Sequence, residues 1–214
     1  MNRLESYPRV CVYADTRLPT RFGQFRVLIF HNDRDQRKHL AMVKGQPEPC
    51  SEVSVHVHSE CLTSEGLGSP RCNCRKKLHA PLEYIPQQSC GIVRYLRQEG
   101  RGIGLGNQFG AYALQEWGLD TVEANHALGF DDDLRRYHTA AAILRDLNVL
   151  QVGLLTNNPQ KISGLEEFGI KVVRRLPLKI APQPLNQFDL ATKAKKSGHL
   201  IASFLEENAL TNSP

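Results

Sequence analysis

The chain has 214 residues, of which 41% are hydrophobic and 23% charged, and its formal net charge is +5. At this size roughly 70% of the unfolded chain's surface is buried on folding, so the composition excludes a disordered or fibrous protein and the core needs no disulfides. The first residues lack the apolar run of a signal peptide and no later segment is long and apolar enough to cross a membrane. We therefore expect no membrane partner and a reducing, cytoplasmic location with thiols free or metal-bound.

Strand and helix patterns alternate along the chain. Six segments rich in branched residues predict strands: Phe25–Phe30, His39–Gly45, Val53–His58, Gly91–Leu96, Val149–Thr156 and Ile170–Leu176. Five segments with apolar residues at helical spacing predict helices: Leu78–Tyr84, Gln108–Trp117, Leu134–Leu147, Ile162–Phe168 and Thr192–Glu207.

This order predicts an α/β fold, with a mixed β-sheet core flanked by helices, antiparallel strands first and crossover units later. We expect residues 1–214 to form a single domain. Residues 1–8 and 208–214 are expected to be flexible, and residues 181–187, APQPLNQ, to form a surface loop.

Three cysteines have the spacing of metal ligands. Cys72 and Cys74 project to one side of an extended segment, and Cys61 can close over the same ion after a glycine-containing turn. Three ligands leave a position for a water, as in catalytic zinc sites, whereas His58 or His79 as a fourth ligand would make the site structural. Free thiols without a metal are a third interpretation. The other cysteines show no ligand spacing and are expected to be small apolar residues: Cys11, Cys50 and Cys90.

Positive charge is concentrated around these cysteines, on Arg71, Arg75, Lys76, Lys77, Arg94, Arg97 and Arg101. The loop RQEGRGIGLGNQ, residues 97–108, has four glycines that allow a ligand to approach the backbone, and Arg101 offers a planar fork for a phosphate or a purine edge. The loop matches neither the P-loop nor the dinucleotide-binding pattern. A plain glycine turn and a solvated basic face are the alternative interpretations.

Two further segments are candidate anion or acid–base sites. LLTNNPQK, residues 154–161, is a strand and turn that opens a helix, and its amides with Thr156 and Lys161 predict an anion site or a simple helix cap. GFDDDLRRYHT, residues 129–139, places three carboxylates before Arg135 and Arg136, a pattern that a helix N-terminus also explains.

Taken together, these motifs resemble the GTP cyclohydrolase II family, whose members open the imidazole ring of GTP at the start of riboflavin synthesis. The similarity runs from about Thr20 to Leu200 through VHSECLTSEGLGSPRCNC, RQEGRGIGL, AYALQEWGLDTVEANHALGF, LLTNNPQKISGL and TKAKKSGHL, in the same order. The resemblance implies one catalytic zinc, magnesium with the triphosphate, GTP as substrate and a cytoplasmic homodimer that does not bind nucleic acid.

The resemblance also implies residue roles. Zinc would be held by Cys61, Cys72 and Cys74; Arg135, with Asp133 as its acidic partner, would attack the α-phosphate; and Tyr112 would assist proton transfer. Positions expected to contact the substrate are His56, His58, Ser59, Glu60, Lys77, Glu99, Gly100, Arg101, Thr121, Thr156 and Lys161. Because a guanidinium stays protonated at neutral pH, attack by water with Arg135 only stabilising charge is an equal alternative.

Four residues depart from the family pattern. His56 replaces an arginine, Asn73 an acidic residue, Arg75 a glycine and Lys77 a glutamine. If their side chains point inward, the changes at Asn73, Arg75 and Lys77 would make the metal more electrophilic and lower the pKa of its water. Lys77 cannot accept a hydrogen bond as glutamine does, so we expect it to hold the guanine or the phosphate chain differently.

These sequence features support three alternative hypotheses for the function. The first is a GTP cyclohydrolase II that releases formate and pyrophosphate to give 2,5-diamino-6-hydroxy-4-(5-phosphoribosylamino)pyrimidine, for riboflavin or a toxoflavin-like specialised pathway. The second is a paralogue that stops at the formamidopyrimidine or uses another purine nucleotide. The third, a basic zinc protein that binds nucleic acid, is disfavoured by the 7% aromatic content and the position of the charge. We expect no fused dihydroxybutanone phosphate synthase domain and therefore a single activity.

Overall fold

The computed structural model describes residues 7–48, 50, 52–181, 190, 192, 194, 196 and 198–200. Its strands are β1 (Val10–Thr20), β2 (Gly23–Asn32), β3 (His39–Lys44), β4 (Val53–Ser59), β5 (Gly91–Leu96), β6 (Gln151–Leu155) and β7 (Lys171–Leu176). They form one sheet in the order β1-β2-β3-β5-β4-β6-β7. The pairs β1–β2, β2–β3 and β3–β5 are antiparallel. The pairs β5–β4, β4–β6 and β6–β7 are parallel. The predicted mixed sheet, with its antiparallel strands first, is confirmed.

All six predicted strands are present, but strand β1 was missed. It lies at the edge of the sheet, pairs with β2 from Val10 opposite Asn32 to Thr20 opposite Gly23, and is exposed over most of its length. An exposed edge strand needs no alternating apolar residues, and it tolerates Pro19 because half of its backbone groups are not paired in the sheet. The periodicity that marked the other strands is therefore absent from it.

The helices are α1 (Leu62–Glu65), α2 (Cys74–Tyr84), α3 (Leu105–Glu116), α4 (Thr121–Ala127), α5 (His138–Asp146) and α6 (Pro159–Glu166), with 3-10 turns at Ile85–Gln87 and Glu99–Gly102. Helices α1 and α4 were not predicted. In the described part of the chain, no helix has the length and apolar character needed to span a bilayer.

The ends of the chain are described only in part. Tyr7 packs edge-on against Phe168, with ring centroids 5.8 Å apart, while residues 1–6 and 208–214 lie outside the described residues. Of the predicted surface loop at residues 181–187, only Ala181 is described. Of the predicted last helix, residues 192, 194 and 196 are helical, but residues 198–200 are not, and Gly198 has φ of 63°. The predicted helix therefore does not continue through Gly198.

Both faces of the sheet are covered. One face packs against α5 and α6, with Phe30, Val55, Ile92 and Ile143 in the core. Val93, the next residue along β5, belongs to a smaller cluster with residues of α2. Because successive strand residues point to opposite faces, β4 and β5 are buried on both sides, which explains their almost unbroken apolar sequences.

The cysteines without ligand spacing differ from expectation. Cys50 and Cys90 form a disulfide, with Cα atoms 6.7 Å apart, so the prediction of free, small apolar residues is wrong for this pair. They precede the neighbouring parallel strands β4 and β5, and local sequence patterns cannot show this proximity at a sequence separation of 40. Cys11 is free but exposed on β1, so it is not an apolar core residue either.

Arg94 lies in the core and not with the basic residues around the metal-ligand cysteines. Its side chain is fully buried, Nη1 donates to the carbonyl of Leu40, and the guanidinium carbon lies 5.7 Å from the ring centroid of Phe30. Nε and Nη2 have no hydrogen-bond partner among the described residues. Burial without a neighbouring carboxylate lowers the pKa of Arg94 to about 9.

We expect Arg94→Met to stabilise the protein. An apolar side chain of similar length removes the cost of burying a charge, and replacing buried ionic groups in this way typically gains about 1–4 kcal/mol of unfolding free energy. Urea denaturation would measure the gain. Arg174→Met is the matched control, because Arg174 is exposed and bonds to Glu52, and its effect should be within about 0.5 kcal/mol. A destabilised Arg94→Met variant would contradict the prediction.

Candidate active site

A cavity lies at the carboxyl ends of the parallel strands β4, β5 and β6, where side chains from three strands meet. It is lined by every residue for which a site role was predicted: His56, His58, Ser59, Glu60, Cys61, Cys72, Cys74, Lys77, Glu99, Gly100, Arg101, Tyr112, Thr121, Asp133, Arg135, Thr156 and Lys161. The structure thus brings them together, and the role of each remains a prediction.

The three predicted metal ligands form a cluster. Their sulfur atoms all lie within 4.8 Å of one another, and Sγ of Cys61 is 3.7 Å from Sγ of Cys72. Two thiolates about 2.3 Å from a tetrahedral zinc would be about 3.8 Å apart, so the spacing fits this ion. Cys61 immediately precedes α1 and Cys74 is the first residue of α2. The two short helices thereby set the positions of two of the sulfurs.

The electrostatics of the cluster also suit a cation. Hydrogen bonding to Cys72 and to Cys74, together with burial, raises the pKa of the Cys61 thiol. Three such thiols cannot all ionise unless a positive charge compensates them, as a bound metal does. His58 and His79, the candidate fourth ligands, are bonded to Glu65 and Arg21. Among the described residues the metal-binding group therefore consists of the three sulfurs.

Tyr112 is connected to the metal cluster through a hydroxyl. The Oγ1 atom of Thr63 lies 3.4 Å from Sγ of Cys61 and 3.1 Å from the phenol oxygen of Tyr112. Burial raises the pKa of Tyr112, so its phenol keeps its proton at neutral pH. The guanidinium of Arg71 lies over the ring, 5.0 Å from its centroid. The structure thus places a protonated phenol beside the sulfur cluster.

The glycine-rich loop packs against the loop that carries Arg135. Arg101 has φ of 55°, its carbonyl accepts from Leu134 N at 2.9 Å, and Nη1 donates to Asp132 O at 3.2 Å. Gly102 has φ of 97°, and a Cβ there would lie 2.9 Å from the carbonyl carbon of Leu134. Glycine at this position allows the two loops to touch, so that Arg101 and Arg135 line the same cavity.

Asp133 and Arg135 form a partly buried ion pair. Nε of Arg135 lies 2.8 and 3.1 Å from the two carboxylate oxygens, and Nη2 also donates to the carboxylate. Burial opposes ionisation of Asp133, but hydrogen bonds from Arg135 lower its pKa overall. Burial likewise acts against the charge on Arg135, but Tyr137 and Asp133 outweigh it and raise the pKa. Arg135 is therefore a guanidinium, and Asp133 is a carboxylate.

Helix α5, which follows this pair, begins later than predicted. The side chain of Gln98 accepts from the backbone N of Arg136 at 2.9 Å and donates to its carbonyl at 2.7 Å. Residues 134–137 are thereby held in an irregular conformation, and α5 begins at His138 instead of Leu134. The carboxylates of residues 131–133 do not stand at the helix N-terminus.

Lys161 is a buried cation beside Arg135. Its Nζ donates to the carbonyl of Val57 at 2.6 Å. Burial, with repulsion from Arg135 and Lys77, lowers the pKa of Lys161 to about 7, although Cys74 acts in the opposite direction. The ammonium is thus close to half-ionised at neutral pH, and an anionic ligand would stabilise its charged form.

The turn before Lys161 is closed by local hydrogen bonds. Thr156 Oγ1 accepts from Asn158 N at 3.0 Å, and the side chain of Asn158 accepts from Gln160 N at 3.0 Å. Asn158 thereby caps α6, which bears out the simple-cap interpretation for the helix start. The cation that this segment places in the cavity is Lys161.

Two of the departures from the family pattern are held by hydrogen bonds to other parts of the protein, His56 in the core and Arg75 at the surface. Nδ1 of His56 lies 2.8 Å from the carbonyl oxygen of Leu155, and Nε2 lies 3.3 Å from Nδ1 of His58. Burial, with repulsion from Lys161, holds the pKa of His56 well below its usual value. Neutral His56 therefore cannot offer the charge that arginine would. Arg75 donates to the carbonyl of Glu65 at 2.7 Å and does not line the cavity.

The other two departures are Asn73 and Lys77. Asn73, between two sulfurs, is buried, and its Oδ1 has no hydrogen-bond partner among the described residues. Lys77 lines the cavity. Of the two added positive charges, only Lys77 thus points inward, which corrects the expectation for Arg75.

Several lining residues were not predicted: Arg71, Gln98, Gln108, Gln115, Asn157, Asn158, Leu178 and His199. Asn157 joins distant segments to the cavity, because Nδ2 donates to Leu178 O at 2.7 Å and its own carbonyl accepts from Leu200 N at 2.8 Å. His199 reaches the cavity from the segment TKAKKSGHL. That motif and the Asn pair of LLTNNPQK are the sequence features that could have identified His199 and Asn157 as lining residues.

Fold and site define an α/β protein with a cationic cavity that is lined by three cysteines able to hold a metal ion. The family model described as GTP cyclohydrolase II matches residues 11–177. The chain belongs to the GTP cyclohydrolase II family.

Similar proteins carry riboflavin-related names. The chain is 53% identical over 189 residues to the riboflavin biosynthesis protein RibBA of Bacillus velezensis, covering 88% of this chain and 48% of that protein. It is 48% identical over 199 residues to RibBA of Synechocystis sp., covering 92% of this chain and 36% of that protein. The chain thus spans between about a third and half of these relatives. A solved structure of RibBX, a two-domain 3,4-dihydroxy-2-butanone 4-phosphate synthase from A. baumannii, aligns with 22% identity and a TM-score of 0.48, covering 79% of this chain and 40% of that chain.

Proposed function

We propose that this chain is a GTP cyclohydrolase II that converts GTP into 2,5-diamino-6-hydroxy-4-(5-phosphoribosylamino)pyrimidine, formate and pyrophosphate. The observation that carries the proposal is one cavity that combines three sulfurs at zinc-binding distances with several cationic side chains. Membership of the family and the riboflavin-related names of the relatives support it. The product would enter riboflavin synthesis or a toxoflavin-like specialised pathway. Magnesium with the triphosphate and a cytoplasmic homodimer are parts of the same proposal.

The two ends of GTP would meet different walls of the cavity. Zinc held by Cys61, Cys72 and Cys74 would supply Lewis-acid activation of water for attack at C8 of guanine. The Tyr112 phenol, oriented by Thr63, would give a proton to the nitrogen released as the imidazole ring opens.

On the other wall, Arg101, Arg135 and Lys161 would bind the phosphates and stabilise the charge that develops as pyrophosphate leaves. Arg135 would act as a charge stabiliser and not as a nucleophile, because its pKa is raised and its Nε and Nη2 already bond to Asp133. Water would then attack the α-phosphorus, the bond to the bridging oxygen would break, and pyrophosphate would leave with that oxygen.

Lys161 gives a prediction for pH dependence. Only its ammonium form binds phosphate strongly, so a pKa of about 7 predicts that KM for GTP rises about fivefold between pH 7 and pH 8. Steady-state kinetics at both pH values would measure this. Lys161→Met should have a higher KM, with only the weaker pH dependence that titration of the GTP phosphates causes. An unchanged pH dependence in Lys161→Met would contradict the assignment.

Product analysis tests the function itself. Purified protein with zinc, magnesium and GTP should release formate and pyrophosphate in equal amounts. Lys77 in the cavity motivates the second candidate, a paralogue that stops at the formamidopyrimidine or uses another purine nucleotide. Ring-opened product that retains its formyl group would favour that paralogue. Salt-dependent binding of DNA or RNA without turnover of any purine nucleotide would instead favour a nucleic-acid-binding protein.

A further inference from the structure

Glu65, a residue that does not line the cavity, connects four segments around the metal cluster. Its Oε1 lies 2.7 Å from Nε2 of His58 on β4, and its Oε2 accepts from the hydroxyl of Tyr95 on β5 at 2.7 Å. Its backbone N donates to the carbonyl of Cys61 at 2.9 Å, and its own carbonyl accepts from Arg75 at 2.7 Å. Through its side chain and backbone, Glu65 thus joins strands β4 and β5 to α1, which follows Cys61, and to α2, which begins at Cys74.

These contacts matter because α1 cannot hold its own geometry. It has four residues, fewer than an isolated helix needs to be stable, so its orientation depends on bonds to its surroundings. At its start, Glu99 accepts from the backbone N of Leu62 at 2.7 Å. At its end, Ser64 Oγ accepts from the backbone N of Arg75 at 3.1 Å, beside Cys74. Glu65 provides the connection to the sheet.

Glu65 is also the end of a chain of side chains that crosses β4. Nδ1 of His56 lies 2.8 Å from the carbonyl oxygen of Leu155, its Nε2 lies 3.3 Å from Nδ1 of His58, and Nε2 of His58 faces Glu65. Loss of the Glu65 carboxylate would leave His58 and Tyr95 without this partner.

We propose that Glu65 is a positioning residue of the metal centre, which fixes the Cys61 turn against β4, β5 and the start of α2. This inference rests on the proposed zinc-dependent function. Two of the family departures converge on it, because His56 reaches Glu65 through His58 and Arg75 bonds to its carbonyl. Without Glu65, α1 loses its side-chain bonds to the sheet, and Cys61 is held less closely to the 3.7 Å distance from Cys72.

Metal titration separates this role from catalysis. Co²⁺ binding to the metal-free protein would be followed through thiolate-to-cobalt absorption, and Zn²⁺ affinity by competition with a chromophoric chelator. Loss of an outer partner of a metal site typically lowers affinity about 10–100-fold, and we expect this range for Glu65→Ala, with altered cobalt bands. Glu65→Gln, which keeps the shape and an acceptor for Tyr95, and Tyr95→Phe, which removes one bond, should show smaller losses.

Glu52→Ala is the matched control, since this carboxylate accepts from Arg174 at 2.7 Å, away from the cavity. It should bind both metals as the unchanged protein does. A native circular dichroism spectrum would confirm that each variant is folded. If Glu65→Ala is unfolded, the metal affinities of Glu65→Gln and Tyr95→Phe test the positioning role. Folded Glu65 and Tyr95 variants with unchanged affinity and cobalt spectrum would overturn the positioning role. A missing thiolate–cobalt spectrum in the unchanged protein would instead overturn the zinc-dependent function itself.

Discussion

Replacing Cys72 with serine is expected to abolish formate release from GTP. The hydroxyl of serine stays protonated near neutral pH and is a poor zinc ligand, so two sulfurs would remain of the three that lie within 4.8 Å of one another. Metal activation of water contributes several kcal/mol at the transition state, so a loss of about a thousandfold or more follows. Serine is close to cysteine in size, so the fold should persist. Formate assay and zinc content by emission spectroscopy would measure both effects.

Cys11→Ser is the matched control for this variant. Cys11 is a free thiol exposed on β1, and it does not line the cavity. The control should retain one zinc per chain and unchanged formate release. If folded Cys72→Ser kept its zinc and its turnover, the three sulfurs would not be the metal site. If it kept zinc but lost turnover, the metal would be held by other ligands and the assignment would likewise be wrong.

The parts of the fold that were predictable are those where burial leaves a pattern in the sequence. Strands β4 and β5 are buried on both faces, and the prediction for β5 matches the structure at both ends, Gly91 and Leu96. Strand β1 was missed because an exposed edge imposes no periodicity. Helix α5 was predicted to begin too early, because its start depends on Gln98, a residue 38 positions away from Arg136. A contact between distant segments leaves no local signal.

The site was predictable in its members but not in its connections. Resemblance to the family placed the three cysteines, the Asp133–Arg135 pair and Lys161 in one cavity, and the structure brings them together. Neither resemblance nor spacing could show that His56 is neutral and enclosed, or that Arg75 turns away to Glu65. The direction of a side chain depends on which acceptors the fold brings near it. Arg94 is the extreme example, since a basic residue close to the loop in sequence lies in the core.

Substitution of Arg135 should separate two mechanisms of pyrophosphate release. Hydrogen-bond donors aimed at a developing charge typically contribute a factor of about 10²–10³ to kcat. If Arg135 stabilises charge in this way, Arg135→Ala should lower the rate of pyrophosphate release by about that factor. Arg135→Lys keeps a positive charge but loses the planar fork, and it should retain part of the rate. A covalent nucleophile would make both variants equally inactive. Stopped-assay measurement of pyrophosphate release gives the comparison.

Arg135→Ala also leaves the partly buried carboxylate of Asp133 without its partner. Breaking a fully buried ion pair typically costs about 3–5 kcal/mol of stability, and we expect part of that loss here, which could be mistaken for a catalytic loss. The double variant Asp133→Asn with Arg135→Ala removes the uncompensated charge. It should regain most of the stability in urea denaturation, while pyrophosphate release stays low. Recovery of activity together with stability would show that Arg135 acts only on the fold.

Because the guanidinium of Arg135 is protonated, nucleophilic attack by this residue on the α-phosphorus is energetically unfavourable. Forming a neutral guanidine at pH 7 from an ordinary arginine costs roughly 7 kcal/mol, and the raised pKa of Arg135 adds to this cost. Incubation with GTP labelled at the α-phosphorus, followed by an alkaline quench that preserves phosphoramidates, should therefore leave the protein unlabelled. Label on unchanged protein that is absent from both Arg135→Lys and Arg135→Ala would establish covalent attack. With no label and a graded loss of rate, water remains the attacking group and the guanidinium holds the charge on the phosphates.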